Sequence, residues 1–146
     1  MSAIPATVEI HLHGTLEIRV PDAQATVADA AAVAGFAHAL VVWLADRAGT
    51  LPVHETWRIE ENRWSAVRHG VLGEMRDLDT GRREPTAERI ARLLEQLERA
   101  TSADLGATRA LLGEGGPAAR IRASARGDVR AATRQLAGCF LDGVAG

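Results

Sequence analysis

Hydrophobic and polar residues alternate one for one over the first part of the chain. Val8, Ile10 and Leu12 oppose Glu9, His11 and His13, and beyond Gly14 the alternation resumes with Leu16, Ile18 and Val20 against Thr15, Glu17 and Arg19. Period two predicts strands over Thr7 to Leu12 and Thr15 to Val20, joined through Gly14 or continuous through a bulge, with the aliphatic face turned to a core. Pro21 removes a ladder donor and ends the second strand, and Asp22 begins a turn.

The pattern then changes period. Thr26 is an N-cap residue with Asp29 three places on, which predicts a helix to about Arg47, stopped by Gly49. Its interior, Ala30 to Ala45, is apolar on nearly every face, so a buried core helix across the sheet is expected, with His38 a satisfied core histidine. The run is alanine-rich and shorter than the roughly 20 strongly apolar residues of a membrane span. After the Leu51-Pro52-Val53 linker, Thr56 can cap a helix from Trp57 to His69 that Gly70 ends. Asp79-Thr80-Gly81 marks the turn of a small hairpin. Pro85 and Thr86 open a helix over Ala87 to Ala100 with Ile90, Leu93, Leu94 and Leu97 on its apolar face, and a shorter one is expected from Ser102 to Leu112. Gly113 to Pro117 reads as a flexible turn, and helical segments carrying Arg120, Arg122, Arg126, Arg130 and Arg134 follow, divided near Gly127-Asp128. Few antiparallel strands among several helices make this a single α+β domain over residues 1–146.

Composition narrows the chemistry. A chain of 146 residues, 47% hydrophobic and 25% charged, can bury one modest core, and its net charge of -2 invites neither nucleic acid nor an anionic membrane. All 17 basic residues are arginine, which excludes a Schiff-base lysine and the lysine of a phosphate-binding loop; the glycine cluster at 113–116 therefore reads as a turn. The arginine run lacks the aromatic interleaving of a nucleic-acid surface. The single cysteine, Cys139, forms no intramolecular disulfide and is expected to be a buried thiol; with no basic-then-apolar leader pattern, a cytoplasmic location is the expectation.

Two constellations stand out. Glu17 and Arg19 share the polar face of a strand about 6 to 7 Å apart, close enough to serve one ligand, although a solvated edge strand gives the same pattern. Trp57, Glu61, Trp64 and Arg68 form one stripe of a helix with Asn62 and Arg63 beside it, which describes either a Trp-anchored amphipathic helix or a site. His11 and His13 could begin a zinc site, but no second ligand cluster has matching spacing.

Gly14-Thr15-Leu16-Glu17-Ile18-Arg19-Val20-Pro21-Asp22-Ala23-Gln24, with Glu61-Asn62-Arg63-Trp64 and Arg68-His69-Gly70 downstream, resembles the carboxylate-amine ligases of the glutamate-cysteine ligase type 2 family. The resemblance runs from about Glu9 to about Leu141 and covers only the C-terminal part of that family's usual length. It implies the C-terminal portion of a glutamine-synthetase-like ligase fold. It also implies an ATP-dependent reaction that joins glutamate or a related carboxylate to an amine such as cysteine through an acyl phosphate, with Mg2+ or Mn2+ on the nucleotide. By the same resemblance Glu17 is a metal ligand, Arg19 contacts phosphate or the substrate carboxylate, Asn62 and Arg63 face the site, Arg68 contacts nucleotide or orients the site, and Trp64 packs. Where the family's strand usually carries an acidic residue and an arginine, Glu9 stands for the first and His11 for the second, a departure at the arginine, and Ile121 replaces glutamine between Arg120 and Arg122. The family's N-terminal carboxylates are absent, so the resemblance implies activity only with the missing part, or else a noncatalytic binding or regulatory subunit. Either way a protein partner or a second copy is expected over the open sheet.

Overall fold

The computed structural model describes residues 8–10, 14–125 and 127–144. Two short antiparallel sheets flank a set of helices, in agreement with the α+β expectation.

Strands β1 (Val8–Ile10) and β2 (Leu16–Ile18) pair in the register Val8 to Ile18, Glu9 to Glu17 and Ile10 to Leu16. The chain reverses through Gly14, whose φ of +72° is a conformation that favours glycine, so the hairpin alternative holds over the continuous strand. His11, Leu12 and His13 lie outside the described residues. The strand is shorter than Thr15 to Val20, and its aliphatic face is only partly covered. Ile18 is half-buried, whereas Leu16 is 40% exposed and Val20, beyond the strand, 60%, and the first long helix packs elsewhere.

That helix, α1 (Val27–Ala45), begins as expected, with the Asp29 amide donating to Thr26 Oγ1 at 3.0 Å, a cap worth about 1 kcal/mol. It ends two residues early in a turn closed by the Arg47 amide on the Leu44 carbonyl. Instead of crossing the sheet it rests on α3 (Thr86–Thr101), α4 (Gly106–Leu111) and α6 (Val129–Val144). Only Ala32 and Ala39 are fully buried; His38 is exposed, not in a core, and Val27 and Val42 also face outward. Its 19 residues have the length and composition of a weak membrane-span candidate. Here, however, the Thr108 hydroxyl donates to the Ala32 carbonyl at 2.8 Å and ties the helix into the bundle.

The core lies where α1 meets α3 and the loop before α4. Leu94, Leu97 and Leu105 are almost completely buried around Ala39, with Phe36, Leu40, Trp43 and Ile90 packed on them. Leu94 and Leu97 come from the stripe predicted for this helix, which is the strongest amphipathic pattern in the chain. The segment after it is less helical than expected: Ser102 adopts a left-handed conformation (φ 56°), and α4 starts only at Gly106.

Helix α2 (Thr56–His69) has Glu55, not Thr56, in the cap position, without a side-chain cap bond, and ends at Gly70 (φ 59°) as predicted. It packs on β3 (Glu74–Arg76), which pairs with β4 (Arg83–Pro85) around the expected Asp79-Thr80-Gly81 turn. Gly113–Gly115 forms a 3-10 turn that leads directly into α5 (Gly116–Ala125). Gly116 combines φ 79° with ψ -177°, a combination nearly confined to glycine, and a Cβ there would stand 3.2 Å from Val71. The close approach seats α5 on the 3-10 turn Gly70–Leu72 that follows α2. The break between α5 and α6 falls at Gly127-Asp128, as the sequence indicates. Cys139, expected to be buried, is exposed.

The β3–β4 turn carries an acid-sensitive contact. Asp77 Oδ1 accepts from the Thr80 amide and hydroxyl, both at 2.7 Å, and Oδ2 accepts from Arg89 at 3.2 Å. These bonds, the Thr80 amide first, hold its carboxyl down at about 2 against an ordinary 3.8. A depressed carboxyl contributes stability that is complete above 3.8 and is lost as pH falls through about 2. Thermal melts from pH 5 to pH 2 are expected to show a smaller acid-induced fall in Tm for Asp77→Asn than for the wild type, from a lower starting value.

Candidate functional site

The two side chains singled out on β2 do meet. Arg19 donates from Nε to Glu17 Oε1 at 2.8 Å and from Nη2 to Oε2 at 3.1 Å, a two-pronged ion pair between half-exposed groups. Spacing of two on an extended chain puts them on one face, and the planar guanidinium matches the carboxylate. The fork leaves neither Glu17 oxygen without a cationic donor.

Asn62 and Arg63 stand elsewhere, on α2. The Asn62 carboxamide behaves as a strand neighbour for β3: its Nδ2 donates to the Arg76 carbonyl at 2.8 Å and its Oδ1 accepts from the Arg76 amide at 2.7 Å. One turn on, Ser65 Oγ donates to the Glu74 carbonyl at 2.6 Å. Helix side chains thus complete the outer edge of a two-stranded sheet, which satisfies backbone groups that would otherwise need a third strand. Arg63 pairs with Glu60 at 3.1 Å along the helix. Trp64, expected to pack, is 63% exposed with its ring edge-on to His69.

Glu61 is the hub that sequence reasoning placed in a motif without assigning it a role. Its Oε2 accepts from Arg76 Nε at 2.5 Å and its Oε1 from Arg83 Nη2 at 2.8 Å. The Arg76 hydrogen bond lowers its pKa most; desolvation opposes it, and the charges of Arg76 and Arg83 and the Arg83 hydrogen bond lower it further. With Asn62, Trp64 and Arg83 it borders an open cleft of about 300 Å3. Alternation of charge at 61, 76 and 83 carried no periodic signal, since the three positions belong to a helix and two strands.

Arg68 lines a different and larger cavity, a groove of about 630 Å3 between the start of α1, the end of α2, α5 and α6. The end of the first motif, at Asp22 and Gln24, the end of the second, at Arg68 and Gly70, and the arginine segment at Arg120 and Arg122 all line it. Asp29 binds Arg120 there, with Nη2 donating to Oδ2 at 2.9 Å across 91 residues of sequence. Asp29 was read only as a helix-cap residue, and its distant partner leaves no local trace.

The nucleotide-bound metal implied by the resemblance can be tested against the donors present. Among the described residues no three His, Cys, Asp or Glu side chains are grouped to hold a metal ion. Both oxygens of Glu17 accept from Arg19. Among the described residues Glu17 offers such a metal one carboxylate, and the remaining oxygen ligands of a nucleotide-bound magnesium ion come from phosphates, water and further residues.

The family model described as glutamate-cysteine ligase family 2 (GCS2) matches residues 4–135. A Corynebacterium jeikeium protein named "Putative glutamate--cysteine ligase 2" is 33% identical over 124 residues, 78% of this chain and 31% of that protein. A Saccharopolyspora erythraea relative whose name is the same but for the suffix 2-1 is 38% identical over 75% of this chain and 31% of its own length. A Cronobacter sakazakii relative is 39% identical over 59% of this chain and 24% of its own length. The chain spans about a quarter to a third of the curated relatives it matches. With a family model covering nearly all of its length, the chain belongs to glutamate-cysteine ligase family 2.

Proposed function

We propose that this chain is a working portion of a glutamate-cysteine ligase-like carboxylate-amine ligase, an ATP-dependent enzyme that forms an amide through an acyl phosphate and needs the rest of the family's length for turnover. One observation carries the reading: three motif segments separated by up to about a hundred residues border one groove, with Arg68, Arg120 and Arg122 among its walls. Guanidinium groups suit this chemistry, since both the carboxylate substrate and the transferring phosphoryl group present oxyanions. The substrates in this reading are glutamate or a related acid and an amine such as cysteine. Arg19 would hold an oxyanion beside Glu17, and Arg68 would meet the nucleotide from the end of α2. Asn62 and Arg63 would act from α2, Asn62 by fixing the helix to β3. Mg2+ or Mn2+ on ATP would take Glu17 as one ligand and draw further carboxylates from the rest of the enzyme.

A partner is part of the same reading. Trp57, Trp64, Val67 and Leu72 are between 54% and 90% exposed, and Leu16 and Val20 are uncovered on the hairpin. Apolar surface of this extent fits a face that another protein segment or a second copy covers. A competing reading is a noncatalytic binding or regulatory subunit, which fits a chain whose described residues group no three His, Cys, Asp or Glu side chains around a metal.

Glu17→Gln separates the two. In an assembly with a complementing ligase portion, ATP-dependent amide formation should fall at least about a hundredfold, the scale of losing one electrostatic contact to a transition state. Circular dichroism should remain that of the wild type. Unchanged turnover removes Glu17 from the catalytic machinery.

A further inference from the structure

Charge is distributed unevenly along the chain. Residues 116–146 carry five arginines against two aspartates, whereas residues 1–115 carry twelve arginines against seventeen carboxylates. One of the two aspartates, Asp128, is spent on the backbone: its Oδ1 accepts from the amides of Arg130 at 2.9 Å and Ala131 at 3.1 Å and caps the start of α6.

Helix α6 buries one side only. Ala132 is buried and Leu136 half-buried where the helix packs on α5 and α1. Arg130 and Arg134, four residues apart, occupy the opposite side with Ala137 beyond them, all exposed. Neither guanidinium forms an ion pair or hydrogen bond with a described residue. Like charges at this spacing repel, so the ridge favours an added anionic surface. Val129 and Phe140, three turns apart along the flank of the same ridge, are 76% and 47% exposed. Hydrocarbon anchors beside unpaired charge are the composition of a protein contact surface. The family match ends at residue 135, inside α6, and the ligase reading gives this face no part.

We propose that the outer face of α6 docks an acidic amphipathic helix of another protein, whose carboxylates meet Arg130 and Arg134 and whose aliphatic side chains cover Val129 and Phe140. Charge complementarity selects this occupant. The face runs about 17 Å from Val129 to Phe140 at the helical rise, a length that one partner helix of three turns spans. A bilayer is a poorer match, because the apolar side of α6 is already packed against α1 and α5 and leaves two anchors. Nucleic acid is poorer too, since no aromatic residue stands between the arginines for a base to stack on.

The test is fluorescence anisotropy of a labelled peptide of three Glu-Leu-Glu-Glu-Leu-Leu-Glu heptads titrated with the 146-residue chain. Saturable one-to-one binding that weakens with added salt is expected. Arg130→Glu with Arg134→Glu should weaken it about tenfold or more, Arg130→Gln with Arg134→Gln less, and Phe140→Ala about threefold or more. Arg82→Glu with Arg99→Glu makes the same change in net charge at two exposed positions away from α6 and should bind as the wild type does. No saturable binding, equal affinity for a scrambled peptide of the same composition, or equal loss in the Arg82 and Arg99 pair overturns the docking face. So does tighter binding of phosphatidylglycerol vesicles or duplex DNA, or self-association of the chain, that reversal of Arg130 and Arg134 abolishes. Amide formation and its dependence on Glu17 are read in a separate assay, so the ligase reading stands or falls independently.

Discussion

Leu94→Ala should lower the unfolding free energy by about 2 to 5 kcal/mol. Leu94 has no exposed surface and sits between Leu97, Leu105 and the Ala39 face of α1. Removing its isobutyl group leaves a cavity that a helix pair anchored at Ala39 cannot close, since Ala39 has no side-chain length to move into it. Urea titration reads the effect as a fall in midpoint with an unchanged slope. The same substitution at Leu93, on the edge of that cluster and partly buried, should cost clearly less, so the ratio of the two tests where the core lies.

Asn62→Ala follows, with an expected loss of about 1 to 3 kcal/mol, because it strands both the amide and the carbonyl of Arg76 on the outer edge of β3. Asn62→Asp should not rescue it: a carboxylate can accept from the Arg76 amide but sets a second acceptor against the Arg76 carbonyl. Amide hydrogen exchange gives the direct readout. The Arg76 amide should lose protection in Asn62→Ala, while amides in α3 keep theirs. Retained protection at Arg76 would mean that the Asn62 contact does not close the sheet edge.

Periodicity made the helices legible and the partners of charged side chains illegible. Ile90, Leu93, Leu94 and Leu97 predicted the face that α3 buries because a 3.6-residue stripe has one physical solution. Thr26, Gly14, Gly70 and Gly127 marked ends and turns through local stereochemistry, and each acts where it was expected to. Helix α1 was less readable. An all-round apolar segment does not say which face is covered, and the structure buries only the Ala32 and Ala39 side against other helices, not across a sheet. Cys139 and Trp64 misled for a related reason, since an apolar residue on a helix is core only if something packs over it.

The candidate site divides in the same way. Glu17 with Arg19 could be read as a pair because their contact is local. Arg120 with Asp29, or Glu61 with Arg76 and Arg83, could not, since those contacts join distant elements. Asn62 was singled out by resemblance as a residue facing the site; its carboxamide is spent on the Arg76 backbone, which assigns it a positioning part in any chemistry at the neighbouring cleft.

The most direct test of the central claim is amide formation coupled to ATP hydrolysis, with glutamate, a panel of amines and Mg2+, using the chain alone and the chain mixed with the N-terminal portion of a family 2 ligase. The account predicts turnover in the mixture and none with either component alone. A folded mixture in which the two associate without turnover would contradict it and leave a noncatalytic subunit.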